Sequence, residues 1–80
     1  MEWRRLDSSV FRCAKYIADE HTLYLLFRTG ELYSYFDFPP QQYRDFLAAD
    51  SQGRYFSQNI RGRFPYKHLP PHRPPRKPNN

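Results

Sequence analysis

At 80 residues with 19% aromatic side chains, the chain is long enough for one small domain and too aromatic to be wholly disordered. Its net charge of +5 is segregated, because all eight acidic residues lie at or before Asp50, while residues 51–80 hold seven basic residues and no acid. The single cysteine, Cys13, excludes an internal disulfide, and without a run of about 20 apolar residues or a secretory signal we expect a cytoplasmic protein with no membrane span.

Three β-strands are the first predicted elements. Residues 10–17 are rich in aliphatic and aromatic side chains, but their alternation is imperfect and indicates a bulge. Residues 22–27 and 31–36 follow as two further strands that flank a short polar loop. The three strands predict a small antiparallel sheet.

The loop between the second and third strands determines which residues face the core. A three-residue hairpin loop ends in a left-handed conformation, which Gly30 adopts without steric cost. The resulting register pairs Leu25 with Tyr33 and Leu23 with Tyr35. By alternation, the predicted core face carries Leu23, Leu25, Phe27, Tyr33 and Tyr35. The opposite face carries Tyr24, Leu26, Leu32 and Ser34.

Two short helices are predicted after the sheet. Pro39 and Pro40 favour a first helical turn, because that turn does not need the backbone donor that proline lacks. Asp50 or Ser51 can cap the second helix. The residues at helical spacing are Tyr43, Phe46 and Leu47 in the first helix and Tyr55, Phe56 and Ile60 in the second. The order β-β-β-α-α predicts an α+β fold, a three-stranded sheet with both helices on one face.

Composition changes near Phe64. Six of the eight prolines lie in residues 65–80, and proline can continue neither a helix nor a central strand. The sequence therefore predicts a folded body of residues 8–64 and a disordered, basic, proline-rich tail of residues 65–80.

Several short motifs of the body occur together in one known family. They are Tyr33-Ser34-Tyr35, Phe36-Asp37-Phe38-Pro39-Pro40, Ser51-Gln52-Gly53-Arg54-Tyr55-Phe56 and Ile60-Arg61. With these motifs in this order, residues 8–64 resemble the KTSC domain, a small bacterial module that also occurs at the C-terminus of some lysyl-tRNA synthetases. Lys15 stands where the family has glycine, and Ser57 stands where it has asparagine. The resemblance implies RNA binding as an expectation at the level of the family.

Catalysis has little support in the sequence. A nucleophile needs a base and an orienting group at fixed distances, yet His21 lies in a predicted turn and the other two histidines, His68 and His72, lie in the predicted tail. The sequence has no CxxC motif and no glycine-rich phosphate loop. We therefore expect a binding module with no cofactor, no metal site and no small-molecule substrate.

Nucleic-acid binding is the leading hypothesis. Clustered cations attract phosphates, and aromatic side chains among them can stack on unpaired bases of RNA or single-stranded DNA. The predicted binding residues are Arg54, Arg61, Arg63, Phe64, Tyr66, Lys67, Arg73, Arg76 and Lys77. Tyr33 and Tyr35 resemble the stacking pair of sheet-based RNA binders, although the register assigns them to the core. Six phosphate contacts on a single strand would give a logarithmic salt slope of about −4.

Protein binding is the alternative hypothesis. Residues 71–76 contain a PxxPxR pattern, which suits grooves that recognise a polyproline helix. A homodimer through the exposed apolar face of the sheet would add the stability that so small a core lacks. The basic block would then serve only to keep the protein in solution, and the sequence does not decide between these functions or between RNA and DNA.

Overall fold

Within residues 3–69, the part of the chain that the computed structural model describes, five β-strands form one antiparallel sheet. The order of the strands across the sheet follows their order along the chain. The strands are β1 (Arg4–Arg5), β2 (Phe11–Ile17), β3 (Thr22–Phe27), β4 (Leu32–Tyr35) and β5 (Tyr66–Leu69). Both helices are inserted between β4 and β5, so the last strand returns to the sheet after them.

The prediction of a three-stranded sheet is wrong, although the α+β class is confirmed. The first additional strand, β1, has only two residues, and both are exposed arginines that show no apolar alternation. The second, β5, lies between Pro65 and Pro70 in the segment that we assigned to the disordered tail. Proline is compatible with a position just outside a short edge strand, which explains why composition alone misplaced these four residues. Residues 70–80 lie outside the described residues.

The predicted hairpin is confirmed in its register. Leu23 pairs with Tyr35 and Leu25 pairs with Tyr33, and Gly30 has the positive φ of 96° that the loop requires. The register of β2 against β3 shifts near Cys13, as the imperfect alternation predicted. The central part of the sheet therefore follows from local sequence signals.

The two helices are α1 (Pro40–Ala48) and α2 (Gln52–Asn59). Helix α1 has proline in its first turn, and the Ser51 hydroxyl caps α2 by accepting a hydrogen bond of 3.2 Å from the backbone N–H of Arg54. After α2, the chain turns at Gly62, whose φ is 74°. Neither helix in the described residues is long and apolar enough to cross a membrane.

The core lies between the helices and the face of the sheet that we predicted. Its fully buried large side chains are Phe11, Phe38, Phe46, Leu23, Leu25 and Ile60. On the opposite face, the ring centroid of Trp3 lies 6.4 Å from that of Tyr24, and the Lys15 ammonium lies 5.4 Å from the Trp3 ring centroid. The sheet is therefore covered by helices on one side only, and only over part of its width.

Candidate nucleic-acid interface

Strands β4 and β5 carry a row of aromatic rings on the side of the sheet where the helices lie. Antiparallel pairing places His68 beside Tyr33 and Tyr66 beside Tyr35, and paired residues share a face of the sheet. The Tyr33 and His68 rings are stacked with centroids 4.6 Å apart, and the Tyr33 and Tyr35 rings are stacked at 6.2 Å. We call Tyr33, Tyr35, Tyr66 and His68 the aromatic platform.

The aromatic platform is exposed at its β5 edge and buried at the other. Tyr66 is 60% exposed, and the His68 side chain is 48% exposed. Tyr35 is only 4% exposed, because its ring lies against Phe56 of α2 at a centroid distance of 5.9 Å. The platform is therefore anchored in the core at Tyr35 and exposed to solvent at Tyr66 and His68.

A pocket of about 420 Å³ opens over this platform, beyond the end of α2. This volume lies within the range of natural ligand sites. Its lining residues are Phe27, Thr29, Glu31, Tyr33, Tyr35, Phe56, Arg61, Gly62 and Tyr66. The lining combines aromatic rings with one cationic and one anionic side chain, a composition that suits a flat aromatic ligand that carries charge. We call this cavity the aromatic pocket.

The guanidinium of Arg61 lies close enough to the platform to affect a buried tyrosine. Burial raises the pKa of the Tyr35 hydroxyl well above its ordinary value, the nearby Tyr33 and Tyr66 hydroxyls raise it further, and Arg61 lowers it. Arg61 itself is exposed. A cation that contributes to the field inside the pocket while remaining in solvent is well placed to meet a phosphate at the pocket edge.

In the described part of the body, the lysine and arginine side chains do not form salt bridges with its aspartates and glutamates. Between residues 3 and 69, one basic and one acidic side chain come within 4.0 Å of each other: the His68 Nε2 atom lies 3.6 Å from the Glu31 Oε1 atom. Over the same residues, no lysine or arginine nitrogen lies within 4.0 Å of an aspartate or glutamate oxygen. The basic side chains of the body are therefore not neutralised by its own carboxylates.

The model of the KTSC domain family matches residues 7–64, which is most of the chain. The chain belongs to the KTSC domain family. The KTSC family is one of small modules and not a known enzyme family.

Related KTSC sequences occur both as small proteins and within a larger enzyme. The chain is 37% identical over 59 residues to a protein of Tsukamurella paurometabola, covering 74% of this chain and 88% of that one. It is 33% identical over 63 residues to a lysine–tRNA ligase of Nostoc punctiforme, covering 79% of this chain and 11% of the ligase. The chain thus corresponds to a small part of that ligase.

The fold matches a solved KTSC structure. The crystal structure of a KTSC domain protein from Yersinia pestis superposes with a TM-score of 0.83 at 28% identity, covering 86% of this chain and 97% of that one. Because 86% of the chain is more than residues 7–64 contain, the superposition extends beyond the span that the family model matches.

The structure brings together only some of the predicted binding residues of this KTSC domain. Arg61 and Tyr66 both line the aromatic pocket. Lys67 is exposed but lies on the opposite face of the sheet, because neighbouring residues of a strand point to opposite sides. Phe64 packs on Phe38 with ring centroids 4.7 Å apart, beside the core. Arg54 and Arg63 are exposed, and Arg73, Arg76 and Lys77 lie outside the described residues.

Sequence reasoning did not predict Phe27, Glu31 and Phe56 of the aromatic pocket, or His68 of the aromatic platform, as site residues. Its assignment of Tyr33 and Tyr35 to the core face is confirmed, and both side chains also line the pocket. A usable signal was present in Tyr66-Lys67-His68-Leu69, where aromatic side chains alternate with others between two prolines. That alternation is typical of an edge strand with one aromatic face.

The raised pKa of Tyr35 predicts a loss of stability in alkali. Unfolded tyrosine loses its proton near pH 10, whereas folded Tyr35 retains it, so the free energy of unfolding falls as the pH rises above about 10. Each tyrosine that stays protonated only in the folded protein lowers the free energy of unfolding by about 1.4 kcal/mol for each pH unit above about 10. Urea unfolding between about pH 8 and 11 should show a shallower fall for Tyr35→Phe than for the wild type. Equal slopes would contradict the prediction.

Proposed function

We propose that this KTSC domain is a non-catalytic module that binds single-stranded RNA, or single-stranded DNA of similar geometry. Unpaired bases stack on the aromatic platform, and the phosphates between them meet Arg61 and the basic residues that follow β5. The observation that carries the proposal is the exposed ring of Tyr66, which lines the same pocket as Arg61, an exposed arginine with no carboxylate oxygen within 4.0 Å among residues 3–69. Sheet-based RNA binders use the same combination of rings and cations.

Stacking supplies the attraction for bases without demanding a sequence. Aromatic side chains contribute about 1–3 kcal/mol for each base stacked on them. The Tyr33 and His68 rings are within 22° of parallel, and the Tyr35 and Tyr66 rings are within 33° of parallel. Because the stacked rings cover one face of each other, a base would stack on the members of the platform that remain exposed, which are Tyr66 and His68.

The path of the chain supports a contribution from the basic tail. Leu69 at the end of β5 pairs with Leu32 at the start of β4, so the chain leaves the sheet beside the β3–β4 loop. Thr29 and Glu31 of that loop line the aromatic pocket. The chain therefore continues beyond Leu69 from a point beside the pocket edge, where the phosphates of a bound strand would emerge, and the sequence that follows contributes Arg73, Arg76 and Lys77.

The occurrence of a related sequence in an aminoacyl-tRNA ligase favours RNA over DNA. The lysine–tRNA ligase of Nostoc punctiforme carries its name for a tRNA substrate, and its related segment is 11% of its length. A small domain attached to such an enzyme is held near RNA. A role in supporting the binding of RNA fits a small module of this kind.

The test removes one ring of the aromatic platform and, in separate variants, one positive charge on each side of the sheet. Tyr66→Ala should weaken the binding of a labelled nine-nucleotide single-stranded RNA about 5- to 150-fold, the loss that corresponds to one stacked base. Arg61→Gln should weaken it as well, while Lys67→Gln removes the same charge from the opposite face and should have a smaller effect. Fluorescence anisotropy at several salt concentrations measures these affinities.

Two results would contradict the proposed function. One is an absence of binding by the wild type to any single-stranded nucleic acid at about 50 mM salt. The other is equal weakening by Arg61→Gln and Lys67→Gln together with an unchanged affinity for Tyr66→Ala, since binding would then depend on charge and not on the aromatic platform.

A further inference from the structure

The aromatic pocket contains one acidic side chain, Glu31, and the proposed nucleic-acid function leaves it unexplained. We propose that the Glu31 carboxylate selects guanine among the bases that stack on the aromatic platform, an inference that rests on the proposed function. A carboxylate repels phosphates, so a site that only bound a polyanion would be better without it. Its place at the pocket edge therefore indicates a contact with something other than phosphate.

Glu31 is fixed at the edge of the rings by the backbone around it. Its carbonyl oxygen accepts a hydrogen bond of 2.9 Å from the backbone N–H of Phe27, which holds the residue at the base of the β3–β4 loop. Its Oε1 atom lies 3.6 Å from Nε2 at the edge of the His68 ring, and that ring is stacked on Tyr33. Because the Glu31 side chain is 50% exposed, its second oxygen can reach a ligand.

The hydrogen-bonding groups of the four bases differ in what they offer to a carboxylate. A carboxylate only accepts hydrogen bonds, through two oxygens that suit two parallel donors. Guanine presents two adjacent donors on its Watson–Crick edge, the N1–H and the N2 amino group. Adenine and cytosine present one amino group next to an acceptor nitrogen, and uracil presents one N–H between two carbonyl oxygens. Only guanine satisfies both carboxylate oxygens without placing an acceptor against either.

The remaining polar groups of the pocket do not supply this selection. Among the residues that line it, Glu31 is the single acid and Arg61 the single base. Arg61 donates hydrogen bonds and carries positive charge, so it suits a phosphate or a carbonyl oxygen. The stacked rings accept every base, because every base has a flat face. The hydroxyls of Thr29 and the lining tyrosines both donate and accept, so they distinguish bases less sharply than the Glu31 carboxylate, which only accepts.

Three labelled nine-nucleotide RNAs test the inference. One contains uridine only, one has a central guanosine, and one has a central inosine, which lacks the amino group of guanosine. We expect the guanosine RNA to bind about tenfold more tightly than the uridine RNA, and the inosine RNA to lose most of that gain. Glu31→Gln should abolish the preference for guanosine, and it should strengthen binding of the uridine RNA because it removes a repulsive charge.

Glu20→Gln is the matched control, since it makes the same replacement at an exposed residue of the short 3₁₀ helix Ala18–Glu20, which joins β2 and β3 away from the pocket, and it should keep the preference. Equal binding of all three RNAs by the wild type would overturn the selection by Glu31 and leave the proposed function standing. A preference for guanosine that survives Glu31→Gln would also overturn it. No binding of any of the three RNAs would instead overturn the proposed function itself.

Discussion

Replacing Phe11 with alanine is expected to unfold most of the protein at 25 °C. Truncation of a buried phenylalanine costs about 3–5 kcal/mol, through lost burial and the cavity left behind. A core in a chain of this size contributes only about 3–5 kcal/mol of net stability. The substitution therefore removes most or all of the free energy of unfolding.

Phe11 has this importance because it joins all the layers of the core. It is fully buried, and its ring centroid lies 4.8 Å from that of Phe27 in β3. Its ring also contacts Phe46 of α1 at 5.6 Å and Phe56 of α2 at 5.4 Å. No relaxation of a single neighbour could fill the space that its ring would vacate, since the neighbours belong to three different elements.

Circular dichroism during urea and thermal unfolding measures the effect. Val10→Ala is the matched control, because Val10 precedes Phe11 directly but is 37% exposed, and it should change stability by less than about 1 kcal/mol. The free energy of unfolding of Phe11→Leu should lie between those of Phe11→Ala and Val10→Ala, and its unfolding should remain cooperative. A Phe11→Ala protein with a transition close to that of the wild type would show that Phe11 does not connect the core.

The parts of the fold that the sequence predicted are those governed by neighbouring residues. Gly30 determines the hairpin loop, and the loop alone determines that Leu25 faces Tyr33. Ser51 caps α2 because its hydroxyl reaches a backbone N–H three residues later. Such contacts join residues that are close in the chain, so a local pattern contains all the information that they need.

The missed strand β5 depends instead on contacts between distant residues. Tyr66 pairs with Tyr35 although both helices lie between them in the chain. Next to this pair, the backbone N–H of Phe36 donates a hydrogen bond to the carbonyl oxygen of Pro65. Four residues between two prolines have no preference strong enough to indicate this pairing by themselves. Arg61 and Tyr66, which the sequence predicts as binding residues, both line the aromatic pocket, but the pocket itself could not be predicted without β5.

Because the aromatic pocket depends on β5, the effect of a C-terminal truncation on binding depends on whether it removes that strand. A chain that ends at Leu69 keeps every strand and loses Arg73, Arg76 and Lys77. If six cations contact phosphates in the full chain, the logarithmic salt slope should change from about −4 to about −2 when three are removed. The affinity for single-stranded RNA at about 50 mM salt should fall about 100-fold or more for the same reason.

A chain that ends at Phe64 should behave differently, because it also loses β5. Removal of Tyr66 and His68 destroys half of the aromatic platform and exposes the edge of β4, together with Tyr35, which is 4% exposed in the intact fold. An uncovered edge strand is a site for pairing with other chains, so this variant should aggregate as well as fail to bind.

The full-length variant with Arg73, Arg76 and Lys77 replaced by glutamine separates charge from length. It should match the chain that ends at Leu69 in both affinity and salt slope, because counterion release depends on the number of cations that contact phosphates. Binding by the chain that ends at Leu69 as tight as that of the full chain would contradict a contribution from the tail. In that case Arg61 and the aromatic platform alone would account for nucleic-acid binding.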